Sequence, residues 1–102
     1  MSDYIAIAAA NELKPNQMKR VLVNGKKLLL CNSADTLFCV DEMCSHEDYS
    51  LYLGCIKDGK IKCSLHGSYF DLTTGKPTCE PADEAISTYP VKIEAGQVWV
   101  KT

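Results

Sequence analysis

Histidine is scarce in this 102-residue chain: there are two, His46 and His66, and both fall in one short region. If both serve one site there, none remains for a separate 2-His-1-carboxylate iron, and no oxygen-activating mononuclear centre is expected. Long apolar runs are missing as well. Nothing approaches the roughly 18–20 residues of a membrane-spanning helix. The stretch 5–10 (Ile-Ala-Ile-Ala-Ala-Ala) is too short for a secretory core and follows Asp3 instead of a basic segment. No excess of positive charge exists either. Eleven Lys and Arg against thirteen Asp and Glu leave a net charge of −2, which argues against nucleic acid or an anionic membrane surface as partner. The expected location is the cytoplasm. Repeats, low-complexity tracts and linkers are absent, and residues 1–102 are expected to form one domain, at the small end of what a single core supports.

What is present is concentrated between Cys44 and His66. Cys44-Ser45-His46, sixteen intervening residues, and Cys63-Ser64-Leu65-His66 spell C-x-H and C-x-x-H. Each short loop supplies one thiolate and one imidazole, a donor set suited to iron–sulfur or zinc chemistry. Structural zinc sites more often pair C-x₂₋₄-C with H-x₃₋₅-H, which this chain lacks. A Rieske [2Fe–2S] centre needs the division found here, because one iron takes two thiolates and the other two imidazoles. On that reading Cys44 and Cys63 hold the inner iron, and His46 and His66 the outer one. A zinc-stabilised interaction module is the alternative from another class. A Cys–His nucleophile would use one pair and leave the other without purpose.

β-Favouring runs separated by turn dipeptides make up the rest. Strands are expected at 4–8, 18–23, 26–31 and 36–40. Asn24-Gly25 is a two-residue hairpin turn that tolerates positive φ, and 32–35 forms another turn. These four strands describe an antiparallel meander, a scaffold carrying no site. Residues 51–56 lead to the turn Asp58-Gly59, and 60–63 to the second ligand loop. Residues 68–72 form a strand, and 86–94 with 97–101 form a closing hairpin around Ala95-Gly96. The expected fold class is all-β, a small antiparallel sandwich or barrel. The cluster-binding portion, about 42–85, is inserted as a hairpin pair at one end. Cys31 and Cys39 fall in apolar strand patterns and are expected to behave as small buried hydrophobes. Cys55 and Cys79 are expected to be reduced, with a bond between them left open.

The run from Cys63 to Gly75 (CSLHGSYFDLTTG), with the C-x-H loop before it, resembles the Rieske-type ferredoxins, in particular the small ferredoxins of multicomponent bacterial aromatic-ring dioxygenases. The tail from Thr78-Cys79-Glu80-Pro81-Ala82 through 88–96 is similar to that subfamily too. The resemblance is close over roughly the last 60 residues; the N-terminal 40 share only the strand pattern. It implies the Rieske fold, one [2Fe–2S] cluster, and a one-electron carrier between a flavin-containing reductase and a terminal oxygenase, without catalysis by the chain itself. The small subunit of an assimilatory nitrite reductase, with the same fold, is the alternative.

The resemblance also implies roles. The loop 78–85 with Pro81 would cover the cluster, and Gly67 would let the backbone come close without a Cβ. Ser68 stands where some Rieske proteins aim a hydroxyl at a bridging sulfide; an ordinary turn-to-strand serine is the equal alternative. Phe70 occupies the place of a tyrosine in high-potential relatives, with Tyr69 one position short. The extra loop cysteines of respiratory-complex Rieske proteins are absent: Glu47, Asp48 and Tyr49 follow His46, and Leu65 lies inside the second motif. The loops must then be held by packing, and the potential is expected at the low end of the Rieske range, about −150 mV. Glu42, Glu47, Asp48, Glu80, Asp83 and Glu84 lie in or beside the loops, as solvated charges or as an acidic rim facing a basic partner.

Overall fold

Three dipeptides set the hairpins. In Asn24-Gly25 (φ 52° and 79°), Asp58-Gly59 (53° and 76°) and Ala95-Gly96 (54° and 74°) both residues have positive φ. That is the mirror-image turn whose twist matches antiparallel strands. A fourth, Ala34-Asp35 (51° and 67°), has no glycine; there Asn32 Oδ1 accepts the Asp35 N–H at 2.9 Å. The computed structural model describes residues 4–43, 50–63, 69–78 and 85–102. The strands are β1 (Tyr4–Ala9), β2 (Met18–Val23), β3 (Lys26–Ser33), β4 (Thr36–Asp41), β5 (Cys55–Lys57), β6 (Lys60–Lys62), β7 (Tyr69–Asp71), β8 (Thr88–Tyr89), β9 (Val91–Glu94) and β10 (Gln97–Lys101). All pairings are antiparallel, in sheets ordered β1-β10-β9, β2-β3-β4-β8 and β5-β6-β7. The all-β expectation holds among the described residues.

The four-strand meander needs correction. Only β2, β3 and β4 form it; β1 pairs with β10, so the two chain ends lie in one sheet. The connection between β1 and β2 is too long for a hairpin, and it is drawn onto the other end of β3. Asn32 donates its side-chain amide to Leu13 O at 2.9 Å, its carbonyl accepts Asn16 N–H, and its own N–H reaches Gln17 O. A register shift between Ala6 and Ala8 leaves Ile7 without a pairing partner, and the Ile7 carbonyl accepts the Lys19 ammonium at 3.2 Å. The expected strand 86–94 is split by Pro90, which has no N–H to give to a ladder. Before it β8 pairs with β4, and after it β9 pairs with β10, so the chain changes sheet at that residue. Residues 51–53 are a 3₁₀ turn ahead of the short β5.

β3 is covered on both faces. Leu29 and Cys31 join Val40, Leu51, Ile56, Ile61, Cys63, Phe70, Leu72 and Ile86 in one cluster, while Leu28 joins Val23, Cys39 and Val100 in another. A fully buried leucine contributes about 1.5–3 kcal/mol. The first cluster matters for the site because it joins scaffold strands to β5–β7. Cys31 and Cys39 are buried as expected.

Asp41, the last residue of β4, anchors β8. Its backbone N–H donates to Ser87 O at 3.0 Å, and its carboxylate accepts Ser87 N–H at 3.0 Å and the Tyr89 hydroxyl at 2.6 Å. Burial, then the bond to Asp41, push the Tyr89 phenol up from 10.0 to about 12. The unfolded chain therefore releases this proton first. The stabilisation is whole below about pH 10 and is lost as pH rises towards 12. Tyr89→Phe should flatten the decline of urea-derived stability across that window. Cys39, raised to about 12 by burial and then by Asp41, titrates in both proteins. An equally steep decline in the variant would mean that the Asp41–Tyr89 bond adds nothing to stability.

Candidate metal centre

The expected ligands lie on two of three loops whose middles, 44–49, 64–68 and 79–84, fall outside the described residues. Cys44, His46, His66, Gly67, Ser68 and Pro81 are therefore outside them. Cys63 is within them, buried at 1% exposure at the end of β6. The ends of all three loops are described, and they are stitched together.

The first loop is closed at its base. Met43 and Ser50 form an isolated antiparallel bridge, and Leu51 N–H donates to Glu42 O at 2.7 Å. The Ser50 hydroxyl donates to Glu42 Oε2 at 2.7 Å and itself accepts Tyr52 N–H, capping the 3₁₀ turn. The second loop is closed by the Lys62–Tyr69 pair of β6 and β7. The third closes where Ile86 N–H donates to Gly75 O at 2.8 Å.

Neighbouring loops are also tied to one another. The chain leaving the first loop enters β5, whose Cys55 pairs with Lys62, the residue before Cys63. Tyr69, just after the second loop, accepts Thr78 N–H at 2.8 Å, just before the third. Ser87, beyond the third, bonds Asp41, just before the first. The six loop ends are tied in a closed ring, so the described flanks of the three loops lie beside one another.

Glu42 corrects an expectation. The sequence groups it with loop acids that are either solvated or facing a partner, but it is buried at 9% exposure and holds Ser50. Sequence reasoning missed both Asp41 and Glu42 as organisers. The serine two residues before Tyr52 carried a local capping signal; nothing local linked Asp41 to Ser87 and Tyr89, 46 and 48 residues away. Tyr69 is half-buried with Lys62 Nζ 5.9 Å from its ring centroid, while Phe70 is fully buried in the core. Strand alternation thus makes Phe70 a packing residue.

The donor set suits a Rieske cluster, with one thiol and one imidazole contributed per loop. The other buried thiols do not compete: burial raises Cys39 to about 12 and Cys31 further still, so both stay protonated and unsuited to metal binding near neutrality. Cys55 is exposed with a free thiol. Cys79 lies outside the described residues.

The chain belongs to the Rieske [2Fe–2S] domain family, which matches residues 3–90. Its cofactor is accordingly a Rieske-type [2Fe–2S] cluster. It is 33% identical over 99 residues, covering 97% of this chain and 95% of the relative, to the ferredoxin component of the naphthalene 1,2-dioxygenase/salicylate 5-hydroxylase systems of a Ralstonia species. Among solved structures, the ferredoxin of carbazole 1,9a-dioxygenase from Nocardioides aromaticivorans IC177 superposes with a TM-score of 0.92 at 26% identity, covering 98% of both chains. A complex of reduced oxygenase and oxidised ferredoxin in carbazole 1,9a-dioxygenase matches with a TM-score of 0.91 at 26% identity, covering 96% of this chain and 92% of that one. The chain is thus a ferredoxin component, not a catalytic oxygenase.

The Ser50–Glu42 bond is open to test. Ser50→Ala leaves a buried carboxylate oxygen without this donor, which should lower the unfolding free energy by about 1–3 kcal/mol in urea titrations. A loss below about 0.3 kcal/mol would show that water replaces the hydroxyl and that the bond does not secure the loop base.

Proposed function

We propose that this ferredoxin takes single electrons from a flavin-containing reductase and delivers them to a terminal aromatic-ring-hydroxylating oxygenase. Cys44 and Cys63 serve as ligands of the inner iron, and His46 and His66 of the outer one. The observation that carries this reading is the ring of six tied loop ends, which holds the flanks of both ligand loops side by side. The solved ferredoxin–oxygenase complex it resembles supports the choice of acceptor. When bound, the cluster supplies a one-electron couple near −150 mV or above, against about −400 mV for plant-type ferredoxins.

The chain's own residues position and enclose. In this reading Gly67 would admit close backbone approach, Ser68 would offer a hydroxyl to the cluster, and the Pro81 segment would cover it. Residues 1–102 act as one Rieske domain, with about 42–85 inserted into the β scaffold. Free thiols at Cys31, Cys39 and Cys55 suit a reducing compartment, and we place the protein in the cytoplasm. Among the described residues no helix is long and apolar enough to cross a membrane.

Purified protein should contain about two irons and two labile sulfides per chain. Cys44→Ser or Cys63→Ser should abolish both, whereas Cys31→Ser, altering a buried core thiol, should leave them. One equivalent of zinc in a colourless folded protein would end this reading.

Docking gives a second test. A shuttle must leave each partner quickly, so its contacts should be small and partly electrostatic. If Glu47 and Asp48 steer the approach, changing both to lysine should slow electron transfer at low salt. The loss should fade as screening shortens to about 8–10 Å. The control is Lys14→Glu with Lys57→Glu. Both residues are exposed, near the Ala34-Asp35 turn at the opposite end of β3 and β4. Equal low-salt rates for wild type and the Glu47/Asp48 variant would leave those acids no docking role.

A further inference from the structure

Neither ligand loop carries a cysteine besides Cys44 and Cys63, which the proposed function assigns to the cluster, so no loop cysteine is left for a bridging disulfide. Something else must set their spacing. Gly54, which ends the 3₁₀ turn after the first loop, passes against the backbone of Lys62, the residue before Cys63. A Cβ built on Gly54 would lie 1.7 Å from Lys62 O and 2.9 Å from Lys62 C, with Leu51 O at 3.3 Å. These are backbone atoms, and carbon and oxygen do not pack closer than roughly 3 Å, so a strand would have to move. The φ of Gly54 is −92°, open to any residue. Glycine is therefore required here for space, unlike Gly25, Gly59 and Gly96, which have positive φ and nothing within 4 Å of an added Cβ. A Cβ on Gly75 would also be crowded, 2.0 Å from Ile86 O, but at φ +78°, so among the described glycines Gly54 alone separates crowding from backbone conformation.

We infer that Gly54 is a positioning residue for the cluster: its bare Cα lets the end of the first ligand loop rest on the start of the second and sets the distance between them. This rests on Cys44 and Cys63 being ligands. The contact is secured on one side by Gly54 N–H donating to Leu51 O at 3.0 Å and on the other by the pairing of Cys55 with Lys62. Any shift of Lys62 is passed directly to Cys63, its neighbour along the chain. Leu51 in turn donates its N–H to Glu42 O, so the same contact reaches the base of the first loop.

The test is Gly54→Ala in the holo-protein, with Gly96→Ala as a control for a glycine lost far from the loops. Iron per chain, the visible spectrum and the bleaching rate under excess chelator are measured beside far-UV circular dichroism. Gly54→Ala should keep its strand signal, alter the visible spectrum and lose its cluster at least about tenfold faster than wild type, whereas Gly96→Ala should bleach within about twofold of wild type. A Gly54→Ala protein with the wild-type spectrum and lifetime would overturn this inference alone. A wild-type protein without iron would overturn the ligand reading and this one with it. A second measurement needs no folded variant. In wild-type holo-protein under chelator, deuteration of the segment 50–63 should share one rate with bleaching, since the contact must open before the cluster leaves. Bleaching that outruns deuteration of 50–63 would overturn the inference.

Discussion

The Rieske site depends on a constraint on the backbone: three separate loops must begin and end within reach of one another. Each loop is too short to fold on its own, and a small chain cannot surround it with a core. The solution is pairwise contact between the end of one loop and the start of the next. Asp41 takes Ser87, Cys55 takes Lys62, and Tyr69 takes Thr78. Apart from the Asp41 carboxylate, which adds a second bond to Ser87, backbone groups make these ties, so most of them survive changes of side chain. The ring also explains why β5–β7 share a core with β3 and β4 through Leu29, Val40, Leu51, Ile61 and Phe70. The inserted hairpins are held by the scaffold's apolar face, and the loops by the hairpins.

Two adjacent acids at the end of β4 do much of this work by different means. Asp41 uses its backbone and carboxylate outward to β8, through Ser87 and Tyr89. Glu42 turns inward and binds the serine that caps the first turn after the ligand loop. A carboxylate at 9% exposure is tolerable only because its polar atoms are used, since a buried charge without partners costs several kcal/mol. The sequence groups Glu42 with Glu47, Asp48, Glu80, Asp83 and Glu84 by charge and neighbourhood, and charge alone does not reveal which way a side chain points.

The buried cysteines illustrate the same separation. Cys31 and Cys39 have the same functional group as Cys63, yet their strands place them among leucines and valines, where burial keeps the thiols protonated. Cys63 is as buried and lies in the same apolar cluster as Cys31, but it directly follows β6 at the base of a loop whose sequence also carries His66. Position relative to the loop, more than burial, separates a candidate ligand from a core residue.

How much was legible in the chain follows from the range of the interactions. The strands, their turn dipeptides and the Cys–His motifs are local features, written within a few residues, and so the all-β class and the candidate donors could be read directly. The strand at 86–94 was misread as continuous, although Pro90 within it is a local signal. Partners far apart in the chain left no local trace. That β1 joins β10 instead of β2, that Glu42 turns inward to Ser50, that Asp41 meets Tyr89, and that Gly54 lies against Lys62 were decided by tertiary packing. The physical reason is that a residue's type sets what it can bond, while only the folded backbone sets what comes within about 3 Å of it.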